Sequence, residues 1–563
     1  MKTKQLVWMF LLAAIAVVRL PAQTLQTLCS FSGTNGAYPE TALALGTDGN
    51  FYGTTFMGGI ANSTYPIGMG TVFKVTTNGV LTTLVSFNNT NGVNPNALTL
   101  GTDGYFYGTT LWGGNINLHS GYGEGTVFKM TTNGTLTTLV YFNGTNGAVP
   151  QAALTLGTDG NLYGTTSEGG FTNGYGYGTV FKMTTNGILT TLVSFNGTNG
   201  EIPQAALTLG NDGNFYGTTY YGGISNSTYP AGLGTVFQVT TNGTLSILAS
   251  FNSTNGAYPQ AALTLGNDGN FYGTTGKGGS SGNGTVFKVM TNGTLSILVS
   301  FNGTNGPYPQ AALTRGNDGN FYGTTAESGI TNSIYPAGLG TIFQITTDGI
   351  LKTLISFNGS NGEIPLAALT LGTDGNFYGT TGTGGNINLN SGYGYGTVFR
   401  LLLPPVSPVI TVQPEPLTVI IGHTASFDVT TAGSPILTYQ WFFNGTIFSN
   451  ATNSVLMLQN AFPPNAGVYT LVVTNAYGSI TSNPAMLTVL PLCIAAPKIL
   501  VGGGFQFNFD TATGVDYAVE YSTNLIEWFP FVILGGNGVP LTLIDPNVAS
   551  SQQRFYRITL SQH

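Results

Sequence analysis

The sequence predicts an all-β chain: a seven-bladed β-propeller with four antiparallel strands per blade, followed by two smaller β-sandwiches. Three observations predict it. The segment GTDGNFYGTT recurs with small changes around Asp48, Asp103, Asp159, Asp212, Asp268, Asp318 and Asp374. Successive copies lie 55, 56, 53, 56, 50 and 56 residues apart, a period that points to a solenoid, a propeller or an array. The repeat region also begins and ends out of phase, as a ring closed by its first strand would.

One unit runs from Ala152 to Phe195. Residues 152–157 are extended and half apolar, and Asp159-Gly160 follows as a tight turn that tolerates positive φ. Residues 161–166 return as a second strand. A Gly-rich loop leads to a third at 178–183, and Asn186-Gly187 turns the chain into a fourth at 188–195. Four short antiparallel strands are the content of a propeller blade. The region opens at residues 24–31 (TLQTLCSF), which match a fourth strand, and closes at 396–402 (GTVFRLL), which match a third. Residues 24–31 are therefore expected to complete the seventh unit and leave no free sheet edge at the seam. An open array of β units is the alternative. Tyr52 and Phe73, with their counterparts in every unit, are expected to pack blade against blade. The Gly after each Tyr is expected to permit close backbone approach.

The recurring pattern P-x-A-A-L-x-x-G-x-D-G-N-x-Y-G-T-T … G-T-V-F over 24–402 resembles the GloVer-type tandem repeat of exported bacterial proteins. The resemblance implies export and a β-repeat architecture, and it supplies no catalytic residues. After a Pro-rich linker at 403–407, residues 408–490 resemble an immunoglobulin-like domain. Tyr439-Gln440-Trp441 carries the core Trp, and Asn465-Ala466-Gly467-Val468-Tyr469 places Tyr469 for a tyrosine corner. The resemblance puts the family's two cysteine positions at Val429 and Leu471, so packing alone would hold the sheets. A linker at 491–497 leads to residues 498–563, which resemble a small C-terminal β-module of fibronectin-type-III-like form.

Composition narrows the function. Only 6% of the residues are Asp, Glu, Lys or Arg, against about 25% in an ordinary soluble domain. Amides, hydroxyls and backbone must solvate the surface instead. A net charge of −7 with few lysines makes a poor partner for nucleic acid or an anionic membrane. Lys2 and Lys4 precede an apolar run, Leu6 to Val18, that is too short to span a bilayer. With Leu20-Pro21-Ala22 as a cleavage site, residues 1–22 read as a signal peptide. The protein is then expected to be secreted or held at the cell surface, with the periplasm as the other destination, and to be monomeric. Cys29 and Cys493 form no disulfide framework, and Cys29 stands where other units carry Val.

Chemistry is thinly supplied. The histidines His119, His423 and His563 make no pair at metal spacing, with His423 expected at a solvent-exposed turn. Each Asp-Gly turn offers one carboxylate, too few for a calcium loop. Glu40, Glu124, Glu168, Glu201, Glu327 and Glu363 lie outside those turns, and nothing marks two of them as a glycosidase pair. No cofactor, metal site or catalytic set is expected. The loops between second and third strands vary most, from Gly278–Asn283 to Gly58–Gly70, and carry Tyr65, Trp112, Tyr122, Tyr175, Tyr229, Tyr335 and Tyr393. Tyr38, Tyr258 and Tyr308 add rings from the loops between units. Variable loops on a rigid scaffold commonly carry binding, and Tyr or Trp among Asn, Ser and Gly suits sugar rings or protein surfaces. The expected function is binding of extracellular glycan or protein. A polysaccharide-degrading enzyme and a structural role in an extracellular layer are the alternatives. These rings could also serve only to pin their loops.

Overall fold

A computed structural model describes residues 23–115, 117–118, 121–170, 176–333, 335–512, 515–546 and 553–560. The expected signal segment 1–22, His119, Tyr175 and His563 lie outside the described residues. The chain divides into two units, Met1–Pro404 and Pro405–His563. No helix among the described residues is long and apolar enough to cross a membrane.

The first unit holds seven small antiparallel sheets, one per repeat. In the third, Thr155–Leu156, Leu162–Thr166, Thr179–Met183 and Leu189–Ser194 pair in chain order. Its first strand is shorter than residues 152–157 suggest, for a physical reason. The carbonyls of Ala152 and Leu154 accept hydroxyls from the neighbouring sheet, Thr109 Oγ1 at 2.9 Å and Thr99 Oγ1 at 2.5 Å. That backbone is bonded sideways rather than along its own ladder. A β-bulge separates the two halves of the pairing between third and fourth strands, as at Val180/Phe181. The seventh sheet takes its outer strand from the other end of the chain: Thr24–Ser30 pairs antiparallel with Thr397–Leu402.

The sheets are joined in sequence. Thr54, Thr109, Thr165, Thr218, Thr274 and Thr324 each donate Oγ1 to a carbonyl of the following sheet, at 2.9–3.3 Å. The seventh in the series, Thr380, donates to Thr41 of the first sheet at 3.1 Å. Aromatic rings repeat the order. Tyr163 stacks on Phe215 and Tyr216 on Phe271, each at 4.0 Å, and Tyr378 stacks on Phe51 at the same distance. A second set links the Phe after each fourth strand to the third-strand Phe of the next sheet, from Phe87 on Phe128 at 5.3 Å to Phe31 on Phe73 at 5.0 Å. The core is correspondingly divided into apolar clusters at the junctions. One combines Phe31, Tyr378 and Val398 with Leu43, Phe51, Phe73 and Val75. Cys29 packs at its margin, where burial pushes the thiol up to about 11 against the pull of a backbone bond from Val398.

The recurring glycine has a specific partner. A Cβ on Gly164 would stand 2.5 Å from Cζ of Phe181, and Gly53, Gly217 and Gly379 meet their third-strand rings at the same distance. The close approach is therefore of an aromatic ring across the ladder rather than of a second backbone.

In the second unit, Trp441, Tyr469, Phe427, Val429 and Leu471 share one buried core. Tyr469 donates its hydroxyl to Asn465 O at 2.9 Å, and Trp441 Nε1 donates to Asn453 O at 2.9 Å. At the family's two cysteine positions, Val429 and Leu471 bury aliphatic groups in this core. Two three-stranded sheets follow, and their first strand, Ala495–Ile499, begins inside the expected linker. Phe507, Phe509, Tyr517 and Val519 form their core. Asp545 is buried at its edge and accepts from Arg554 and from Tyr556 at 2.6 Å.

Candidate functional site

Each sheet runs up and down, so its turns fall into two groups. The turns between strands one and two, and three and four, lie together. The loops between strands two and three, and between units, lie at the other end.

At the first end the Asp-Gly turns are self-contained. Asp159 accepts from Tyr163 at 2.8 Å, from Asn161 Nδ2 at 2.9 Å and from Lys182 at 2.8 Å. Burial opposes ionisation there, but the bonds from Lys182, Asn161 and Tyr163 outweigh it and hold Asp159 below the usual carboxylate range. Asp268 is held down in the same way, with Lys288 in the cation's place. In the fourth and sixth sheets Gln238 and Gln344 replace the lysine, donating at 3.1 and 2.8 Å. These carboxylates are occupied in closing turns. Among the described residues no group of three His, Cys, Asp or Glu side chains could hold a metal ion.

The other end is where the units differ. The loops of the first, fourth and sixth units are built alike. Asn62 Oδ1 accepts from the backbone of Thr64 and Tyr65, and Asn226 does the same for Thr228 and Tyr229. Asn332 accepts from Tyr335 N at 2.7 Å. The Asn turn lowers each Tyr onto the junction with the next unit.

Three aromatic groupings result. Tyr65 and Trp112 pack on one junction core, and Trp112 lies 6.5 Å from the exposed Tyr122. Burial raises the Tyr65 hydroxyl above its ordinary range, and Tyr122 adds to that. Around Tyr258, Tyr220 stacks at 5.0 Å and Tyr221 meets it edge-on at 5.6 Å, with Tyr229 packed on the same core. At the seam, Tyr335 meets Tyr393 at 6.1 Å, and Tyr38 meets Tyr395 at 6.1 Å while accepting from Asn390 Nδ2 at 2.9 Å. Of the rings expected here, Tyr122 and Tyr393 are exposed, and Tyr65, Trp112, Tyr229 and Tyr335 are half-buried. They gather in neighbouring pairs and do not converge on one point. Sequence reasoning missed Tyr220 and Tyr221, although a Tyr-Tyr doublet follows Thr218-Thr219 in one unit only.

The acidic residues are scattered over the same end. Glu363 is 2% exposed and accepts from Thr383 Oγ1 at 3.3 Å. Burial raises its carboxyl above the usual range, partly offset by that bond. Burial alone raises Glu40 and Glu201. In the second unit, His423 sits half-buried in a turn rather than at an exposed one, with Nδ1 unpartnered.

The family model of the Gloeobacter/Verrucomicrobia repeat matches residues 14–230 and 225–413. The chain belongs to this repeat family. An immunoglobulin-domain model matches residues 407–475. The Gloeobacter/Verrucomicrobia repeat chain has no match among curated proteins. Among solved structures it is similar to a titin M10–obscurin-like 1 immunoglobulin complex, at 26% identity and TM-score 0.15, covering 15% of this chain and 96% of that one. Tandem immunoglobulin repeats of Dlar match at 17% identity and TM-score 0.15, covering 21% of this chain and 88% of that one.

Proposed function

We propose that the seven sheets close as a seven-bladed β-propeller, that the protein is exported, and that the loop end of the propeller binds extracellular glycan or protein. The hydroxyl of Thr380 on Thr41 O and the stack of Tyr378 on Phe51 support the ring. The observation that carries the binding role is the contrast between the two ends. Residues common to all units are absorbed in turns and junctions, whereas the unit-specific residues gather rings at the loop end. Such rings offer flat apolar faces beside the amides and hydroxyls of Gly-rich loops, which suits sugar rings foremost. The second unit's modules act as spacers or further adhesive modules.

Glycan-array binding by the full chain tests this reading. Trp112→Ala is expected to weaken binding roughly 10- to 100-fold, as the loss of a buried aromatic anchor does. If the protein binds no glycan and no cell-surface fraction, the reading falls.

A further inference from the structure

The sixth repeat departs from the other six at one place, and two of its departures coincide with a third in the repeat before it. Gly58, Gly113, Gly169, Gly222, Gly278 and Gly384 occupy one position after the second strand, and the sixth repeat has Ser328 there, at φ +80°. That backbone region suits glycine and strains other residues. In the other repeats a Cβ would lie 2.5–2.7 Å from the opposing backbone, so Ser328 cannot sit as closely as those glycines do.

The second departure is Pro307. Its counterparts Ala37, Ala148, Glu201, Ala257 and Glu363 each donate a backbone N–H to the second-strand end, as Ala257 does to Lys277 O at 2.8 Å. Proline has no N–H to give, and among the described residues no such bond joins Pro307 to Glu327. The third departure is the loop of the fifth repeat, Gly278–Asn283, the shortest in the ring. Its last residue, Asn283, accepts from Tyr308 N at 3.0 Å and stands beside the sixth repeat.

Together they open a cleft of about 390 Å³ lined by Asn283, Pro307, Tyr308, Glu327, Ser328 and Pro336. Small-ligand sites span roughly 300–1,000 Å³. The Glu327 carboxylate has no hydrogen-bond or ion-pair partner among the described residues, and the Tyr308 hydroxyl has none either. The wall therefore presents one carboxylate acceptor, an amide, a hydroxyl, an aromatic face and a proline face. One carboxylate among uncharged groups matches a pair of vicinal hydroxyls. A divalent cation would need several oxygen ligands of that kind.

We infer that this cleft is a saccharide subsite for a neutral hexose chain, with Glu327 accepting ring hydroxyls and Tyr308 and Pro336 offering flat faces. The inference rests on the binding role proposed above and places it at the fifth–sixth junction.

Calorimetric titration of the full chain with neutral gluco-, manno- and galacto-configured hexasaccharides tests it. Glu327→Gln and Tyr308→Ala are each expected to weaken binding about 10-fold or more. Ser328→Gly restores the residue of the other repeats, and it is expected to weaken binding while leaving the melting temperature unchanged or higher. Unchanged affinity in all three variants, with loss only in Trp112→Ala, overturns the subsite and leaves the binding face standing. Binding of a lysine-rich peptide that depends on Glu327, without any hexasaccharide binding, overturns the assigned ligand class. A chain that binds no glycan or cell-surface fraction removes the face and the subsite together.

Discussion

Two glycines of the fifth repeat separate backbone strain from steric exclusion. Gly269 has φ +73°, and a Cβ there meets nothing within 4 Å. Gly273 has an ordinary φ, but a Cβ would stand 2.4 Å from Cζ of Phe287. Gly269→Ala is expected to cost about 1 kcal/mol, from strain alone. Gly273→Ala is expected to cost about 3 kcal/mol, from overpacking a ring that has nowhere to go. Denaturant titration of both variants checks the order, and equal losses would remove the ring from the explanation. Glu363 gives a pH test. Its carboxyl is raised by burial, so the folded chain holds that proton more tightly than the unfolded chain. The associated stability is present below the unfolded carboxylate range and is lost as pH rises through the folded value. Glu363→Gln is therefore expected to raise the melting temperature at pH 7 by roughly 1–3 °C, with the difference vanishing near pH 4. A variant less stable than the parent at pH 7 would mean that the charged form has a partner worth keeping.

At the scale of the element, the unit is a four-strand meander whose two ends obey different rules. The Asp-Gly end is locally determined. Asp, Asn and Tyr lie within four residues of one another, and their bonds recur from Asp48–Tyr52 at 2.9 Å to Asp374–Tyr378 at 2.8 Å. The loop end is determined between units. The residues before proline, such as Val149, Ile202 and Ile364, hold φ near +55° although β-branched residues avoid that region. Each places its N–H on a carbonyl of the preceding unit, Val149 on Glu124 O and Ile202 on Tyr177 O, both at 2.9 Å. Strain of this kind persists because the surrounding bonds recur seven times.

At the scale of the molecule, the seam between residues 24–31 and 397–402 is the place to test closure. Thr24–Ser30 contributes six ladder pairs and leads into Phe31, which is buried against Phe73. Deleting residues 24–31 is expected to cost roughly 5 kcal/mol or more, from lost ladder bonds and a lost aromatic contact, and to expose a strand edge that invites association. Size-exclusion chromatography with light scattering and thermal unfolding checks both effects. A monomer of unchanged melting temperature would show that the seam carries no structural weight.

The sequence by itself determined the number of units, their strands and turns, and the pairing of the chain's first strand with the seventh unit. Each follows from a period, from Asp-Gly and Asn-Gly turns, or from the phase of TLQTLCSF and GTVFRLL, all of which are local patterns. Val429, Leu471 and Tyr469 were legible only through the resemblance of residues 408–490 to an immunoglobulin-like domain. The tertiary structure alone decided which rings meet. Trp112 with Tyr122, Tyr335 with Tyr393, and the Tyr220–Tyr258 stack depend on how a loop of one unit leans over the next. It alone decided why Gly follows each Tyr, since the third-strand Phe stands opposite only once the strands are in register. It alone turned Pro307, Ser328 and a short loop into one cleft, because side chains 21 to 50 residues apart become neighbours only when the chain folds back through its strands and successive sheets stand side by side.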